Sequence, residues 1–321
     1  MAVGEEVLGY RGVTERFAFP LLSMGRGLWR FAVRKPLGAF GALIVLAVIV
    51  IAIIAPAVAP YSYEQVYLSD ALKGPSLDHF FGTDENGRDV FSRILYGAQV
   101  TVIVGFGSVA LTALVATAVG VVSGYFGGRL DMLVQRAVDV WMSFPALFLL
   151  LTVAAILGTG GGGILGLGRG PDWGPDVKGM PIILALGLIL SGGTSRVIRS
   201  AVLSIKAQPF VEAAQVLGAR HLHIIVRYVL PNVAPLIIVL ATLQLGVAVL
   251  AESTISFLGF GVPPPFPTWG QMLSGRAREL GPNYPWLVLA PGGAIFITVY
   301  GFNMLGDALR DILDPRLRGV R

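Results

Sequence analysis

Residues 212–231, EAAQVLGARHLHIIVRYVLP, hold a helix, a turn and a second helix that leads into a long apolar run. The stretch 210–217 is helix-prone and largely apolar, and Gly218 follows where a helix C-terminus needs a residue tolerant of positive φ. Past that turn, Leu222, Ile225, Val226 and Val229 fall on one stripe spaced i, i+3, i+4, i+7. Arg220, His223 and Arg227 fall on a second, basic stripe, so the spacing predicts a short amphipathic helix. Pro231 has no N–H and biases Leu230 away from helix, which predicts that this helix stops there and that Pro231 opens the next apolar segment. Two readings fit such an elbow at a membrane surface. It is a lever moved from outside the bilayer, or an interfacial loop with a positive flank.

Composition fixes the surroundings of the elbow. Of 321 residues, 55% are hydrophobic and 13% charged, and the mean hydropathy is +0.74, too little polar surface for a soluble globule of this size. The chain is therefore an integral membrane protein. Cysteine is absent, which excludes disulfides, thiolate metal sites and cysteine nucleophiles. Glycines recur as small-xxx-small pairs, Gly120 with Gly124 and Gly124 with Gly128, a spacing suited to close helix packing in lipid.

A charge at mid-bilayer costs about 2.5–3.5 kcal/mol, so charge-free windows locate the spans. Six are expected, at 37–59, 100–125, 140–157, 180–195, 228–251 and 285–306, the fourth being the shortest. An even number puts both termini on one side. The segments 1–36, 126–139, 196–227 and 307–321 carry 17 basic residues against 7 on the other face, so the positive-inside rule places the termini and the elbow in the cytoplasm. The spacing of Arg26, Arg30 and Arg34 reads as a snorkelling face for lipid headgroups. The basicity is dispersed along membrane borders and forms no nucleic-acid module, which excludes nucleic acid as a partner. The alanines flanking Pro56 mimic a signal-peptidase site, but the apolar run before them exceeds a signal h-region, so the first span is expected to be retained.

Other function classes lose ground. Ion-coupled carriers usually keep an ionisable residue or a broken helix at mid-membrane, and none of the six windows holds Asp, Glu, Lys, Arg or His, which leaves an ion-coupled carrier as the weaker alternative, coupled through backbone carbonyls alone. No G-x-S-x-G or H-E-x-x-H occurs, and His221 and His223, two apart, point away from each other on a helix, so neither an enzyme nor a metal site is expected. Lys35, Lys73, Lys178 and Lys206 never follow Gly, so the chain has no P-loop and energy for transport must come from another polypeptide.

The elbow resembles the EAA signature of ATP-binding-cassette importer permeases: E-A-A, three residues, Gly, nine residues, Ile, one residue, Leu-Pro. Glu212, Ala213, Ala214, Gly218, Leu230 and Pro231 fill it at that spacing, with Tyr228 at the usual Ile position. FGTDENGRDVFSR (81–93), GYFGGRLDMLVQRAVDVWMSFP (124–145), SFLGFGVPPPFPTWGQML (256–273) and GDALRDILDPRLR (306–318) are similar to the oligopeptide, dipeptide and nickel permease group, and to the second of its two permease subunits. The resemblance covers nearly everything after residue 35.

It implies an all-α polytopic fold of six transmembrane helices around a type I importer (MetI-like) core. It also implies a coupling helix seated in an ATPase groove, with Glu212 orienting it, Ala213 and Ala214 allowing close approach, and Gly218, Ala219, Arg220, His221 and Pro231 completing the contact. Implied partners are a homologous second permease, two cytoplasmic ATPases that carry ATP and Mg, and an extracytoplasmic solute-binding protein. The chain itself would bind no cofactor or metal and catalyse nothing. Peptides are the expected cargo, nickel the alternative, in a prokaryotic plasma membrane.

The expected organisation is a cytoplasmic segment 1–36, a peripheral first span 37–59, an outer loop 60–93, a permease domain 94–314 with the coupling loop 196–227, and a tail 315–321. Segments 61–93, 158–178 and 252–284 are candidate docking surfaces for the binding protein, and glycines 160–163 read as flexible loop. Asp84, Glu85 and Asp89 could attract a cation, but the remaining EF-hand ligands are missing. A solvated turn with Asp84 as N-cap of the following helix is the favoured reading.

Overall fold

The computed structural model describes residues 31–33, 35–157 and 179–313. The stripe Arg26, Arg30 and Arg34, the candidate docking segment 158–178 and the tail from 314 lie outside the described residues. Among those described, the chain is helical, with one isolated bridge between Thr83 and Asp89 and no strand.

Five helices among the described residues are long and apolar enough to cross a membrane. They are α1 (Pro36–Val58), α2 (Val90–Phe126), α5 (Met180–Lys206), the continuous helix His221–Phe257, and α11 (Trp286–Leu313). The remaining expected window, 140–157, falls on a bent pair of helices. Helices α3 (Gly128–Ser143) and α4 (Ala146–Leu157) meet at a bend of 89°. The break follows from Pro145, which forces Phe144 into extended backbone (φ −79°, ψ 134°). Among the described residues, three short α-helices, α6 (Pro209–Val216), α9 (Trp269–Met272) and α10 (Arg276–Leu280), and a 3-10 turn at Leu68–Asp70 complete the set.

Helices α2 and α5 make the most extensive pairing, and α11 packs against both α1 and α8, the part of the continuous helix spanning Leu230–Phe257. Small residues set the α2–α5 distance, because a Cβ on Gly120 would come within 2.7 Å of the Ser195 carbonyl and one on Gly124 within 3.0 Å of that of Arg199. Gly128 does not extend this seam; with φ +57° and open space around it, it serves the turn between α2 and α3. Lys35, before α1, pairs with Asp311 at the end of α11 at 2.5 Å, and Gln99 of α2 donates to the Ala52 carbonyl of α1 at 2.9 Å.

Several helices overrun the expected windows. Helix α2 begins ten residues before residue 100; its 37 residues span about 55 Å at 1.5 Å per residue, well past a ~30 Å hydrocarbon core. Helix α5 continues beyond Ser195 because its two guanidiniums have partners on α3: Arg199 chelates Asp131 at 2.6 and 2.5 Å, and Arg196 pairs with Asp139. The start of the expected loop 196–227 is therefore helix. Helix α8 likewise runs past its charge-free window, to Phe257, and so takes in Glu252, which is fully buried. Ser256 and Ser253 hold that carboxyl, at 2.7 and 3.4 Å.

Candidate functional site

The elbow is built from α6, Gly218, α7 (His221–Ile224), a π-helical turn (Ile225–Val229) and the start of α8. Gly218 ends α6 as its spacing predicts, at φ +79°. Its N–H donates to the Gln215 carbonyl at 2.9 Å, and the Ala219 N–H to that of Ala214 at 3.0 Å, the two bonds of a Schellman cap. No atom would obstruct a Cβ at Gly218, so backbone conformation alone demands glycine there.

Pro231 does not stop the amphipathic helix. Leu230 keeps helical angles (φ −56°, ψ −45°), and the π turn before it absorbs the lost donor by re-pairing carbonyls one residue further on. From His221 onward the elbow is thus continuous with α8. The π turn also moves the apolar face. Ile224 and Val229, five residues apart, are the fully buried pair, whereas Leu222 and Val226 of the expected apolar stripe face outward.

Val211, Ala214, Ile224 and Val229 share one core with Val121 and Tyr125 of α2 and Ile198 and Val202 of α5. A second tie is polar: the Tyr125 hydroxyl and His221 Nδ1 lie 3.0 Å apart, and the Lys206 ammonium sits 5.6 Å above the Tyr125 ring. Val216 and Leu217 are 87% exposed and Leu222 72%, and Phe210 and Val226 join them at the surface. Around this apolar tip stand the exposed Glu212, Arg220, His221, His223 and Arg227. Of the expected contact residues, Glu212, Ala213, Gly218, Arg220, His221 and Pro231 are exposed and Ala219 is half-buried, but Ala214 turns into the chain's own core. No hydrogen bond or ion pair among the described residues engages the Glu212 carboxylate.

The opposite end of the bundle is a folded cap, not a solvated turn. Asp89, not Asp84, is the N-cap of α2, accepting from the Ser92 N–H at 2.7 Å and lying 3.0 Å from His79 Nδ1. Asp84 closes the preceding turn, accepting from the N–H groups of Asn86 and Arg88, each at 2.9 Å, and from Arg88 Nε at 2.7 Å. Both aspartates and His79 are buried, as are Glu252, Ser253, Ser256 and Trp269 within 252–284, so much of two candidate docking segments faces inward. Among the cap's carboxylates, the Lys73 ammonium bonded to Asp70 holds that carboxyl below the usual range. Sequence reasoning passed over Glu252, although serines one and four residues on are a legible signal for a helical carboxyl held by its own helix.

The description "Binding-protein-dependent transport system inner membrane component" matches residues 116–319, and "N-terminal TM domain of oligopeptide transport permease C" matches residues 23–75. The dipeptide transport system permease protein of Alkalihalophilus pseudofirmus is 38% identical over 294 residues, 90% of each chain. The glutathione transport system permease proteins of Escherichia coli O6:K15:H31 and Shigella boydii serotype 4 are each 37% identical over 292 residues, 91% of this chain and 90% of theirs. A match over more than half of the chain, and relatives aligned along nine-tenths of both partners, establish that the chain belongs to the family of binding-protein-dependent transport system inner membrane components.

Proposed function

We propose that this chain is one permease subunit of an ATP-driven importer that moves peptides across a prokaryotic plasma membrane by alternating access. The observation that carries the proposal is the elbow, an apolar tip ringed by charge, exposed on one side and locked into the helical core on the other. Exposed Val216, Leu217 and Leu222 suit an apolar groove on a cytoplasmic ATPase, and the elbow's continuity with α8 gives motion of that ATPase a stiff path into the membrane. Glu212, Ala213, Gly218, Ala219, Arg220 and His221 form the contact, Ala214 and Pro231 supporting it from behind. ATP, Mg and hydrolysis belong to two partner ATPases, and this subunit catalyses nothing itself.

The remaining parts of the assembly follow the same logic. The 17 basic residues on the elbow's side put it and both termini in the cytoplasm. Helix α3 buries none of its residues, and Met132, Leu133, Val140 and Met142 leave it with an apolar surface, which supports packing by a homologous second permease. An extracytoplasmic binding protein delivers cargo to the capped end. Segment 94–314 is the permease domain and α1 an added peripheral span. Peptide is the cargo favoured by the two named relatives, whose names specify a dipeptide and glutathione, both peptidic.

The test is reconstitution of the full assembly in proteoliposomes. Labelled dipeptide should enter only with ATP, and Ni²⁺ should not. Gly218→Val forces a β-branched residue to positive φ at about 1–2 kcal/mol and should cut substrate-stimulated ATP hydrolysis about tenfold without loss of membrane insertion. Uptake by this chain without ATPases, or normal coupling in that variant, overturns the reading.

A further inference from the structure

The capped end contains a pocket of about 200 Å³ where the loop before α2 meets the segment carrying α9 and α10. Asp84, Glu85, Arg88, Arg93, Gln271 and Arg276 supply its polar walls. Arg93, in the first turn of α2, has a side chain only 6% exposed, yet few of its five N–H donors are used. Its Nη1 donates to the Tyr63 carbonyl at 3.4 Å, near the limit of a hydrogen bond, and its Nε stays 3.9 Å from Asp84 Oδ2, beyond that limit. Asp84 is turned to other partners, its Oδ1 accepting from two N–H groups of the turn and its Oδ2 from Arg88 Nε. Arg276 stands exposed at the rim, with no hydrogen bond or ion pair among the described residues.

A buried guanidinium with unspent donors is costly unless something supplies acceptors. Three guanidiniums against two carboxylates leave the walls one positive charge in excess, which calls for an anion. A carboxylate suits the geometry, being planar, singly charged and able to accept two parallel N–H bonds from Arg. A dianionic phosphate would be repelled by Asp84 and Glu85, whereas those same acids accommodate a neutral amide or an ammonium beside the bound carboxylate.

We infer that this pocket is a carboxylate-binding site, in which Arg93 and Arg276 hold the anion while Glu85 faces the group attached to it. The inference rests on the importer reading only for where the carboxylate comes from: the C-terminus of a peptide in transit, or an Asp or Glu side chain of the binding protein as it docks.

The complete assembly in lipid nanodiscs separates these sources. One arm measures binding of alanyl-alanine and of its C-terminal amide without the binding protein; the other measures binding-protein affinity at rising salt. If the peptide supplies the carboxylate, the free acid binds more tightly than the amide. If the binding protein supplies it, only its affinity falls with salt. In either case Arg276→Gln weakens the responding arm about tenfold, the loss of one charge-assisted hydrogen bond, and Arg93→Met weakens it at least as much. Unchanged affinities in both arms for Arg276→Gln overturn the site, whether or not Arg93→Met inserts. Failure of ATP-driven dipeptide uptake in the unmodified assembly would instead strike the cargo reading, and the binding-protein arm would still judge the pocket.

Discussion

At the elbow end of the bundle, Val216, Leu217 and Leu222 stand in the open, while at the capped end His79, Asp84, Asp89 and Glu252 are packed out of contact with solvent. Water favours the reverse of both arrangements. The cap recovers its desolvation cost internally, through Ser92, Arg88, Ser253 and Ser256 as partners. The elbow has no such internal recovery for its apolar tip, so its exposure is resolved only by another surface. The cap's buried carboxylates are thus satisfied within the chain, the Arg93 pocket aside, whereas the elbow's apolar tip is finished by a partner.

The sharpest way to break this contrast is a pair of truncations two residues apart. Ile224 is 0% exposed and anchors the elbow to α2 and α5, so Ile224→Ala should cost about 2–5 kcal/mol, read as a lower midpoint in thermal unfolding of the purified chain. Leu222→Ala should move that midpoint little, within about 0.5 kcal/mol, yet weaken ATPase association by more than about 1 kcal/mol. Equal destabilisation by both would mean that Leu222 belongs to the core and that the tip is not an outward face.

At the other end the expected pattern inverts. Asp89→Ala removes the N-cap of α2 and the carboxylate beside buried His79, a loss of about 2–4 kcal/mol in stability. ATPase association, measured by co-purification, should be untouched in the fraction that folds. A variant that stays as stable as the parent would return Asp89 to the status of a solvated turn residue.

These effects also mark what the sequence could and could not disclose. The turn at Gly218 was legible because its chemistry is local: one glycine, one helix end, one φ sign. The all-helical membrane fold was legible because apolar windows are set by the bilayer and not by tertiary detail. The inward face of α7 was not, because the π turn inserts one residue into the register, and a 3.6-residue period then selects Leu222 where the fold selects Ile224. Helix α5 ran past its charge-free window because Asp131 and Asp139, far off in sequence, neutralise Arg199 and Arg196. Asp84 and Asp89 carry the same side chain, and only the packing of His79 and the course of α2 decide which of them caps the helix.

The smallest expected effect tests how firmly the elbow is held. Tyr125→Phe keeps the ring against His221 and under Lys206 but removes the hydroxyl that lies 3.0 Å from His221 Nδ1. The apolar anchors Val211, Ile224 and Val229 remain, so the fold should persist with a loss of about 1 kcal/mol confined to α7. Hydrogen exchange should read this as about fivefold faster exchange at residues 219–224, with no change at 79–93. Faster exchange at both ends would mean that elbow and cap open together as one cooperative unit, and the division between the two ends would then have no energetic counterpart. Faster exchange at the elbow alone would give α7 its own local opening, small enough for a docked ATPase to suppress by binding.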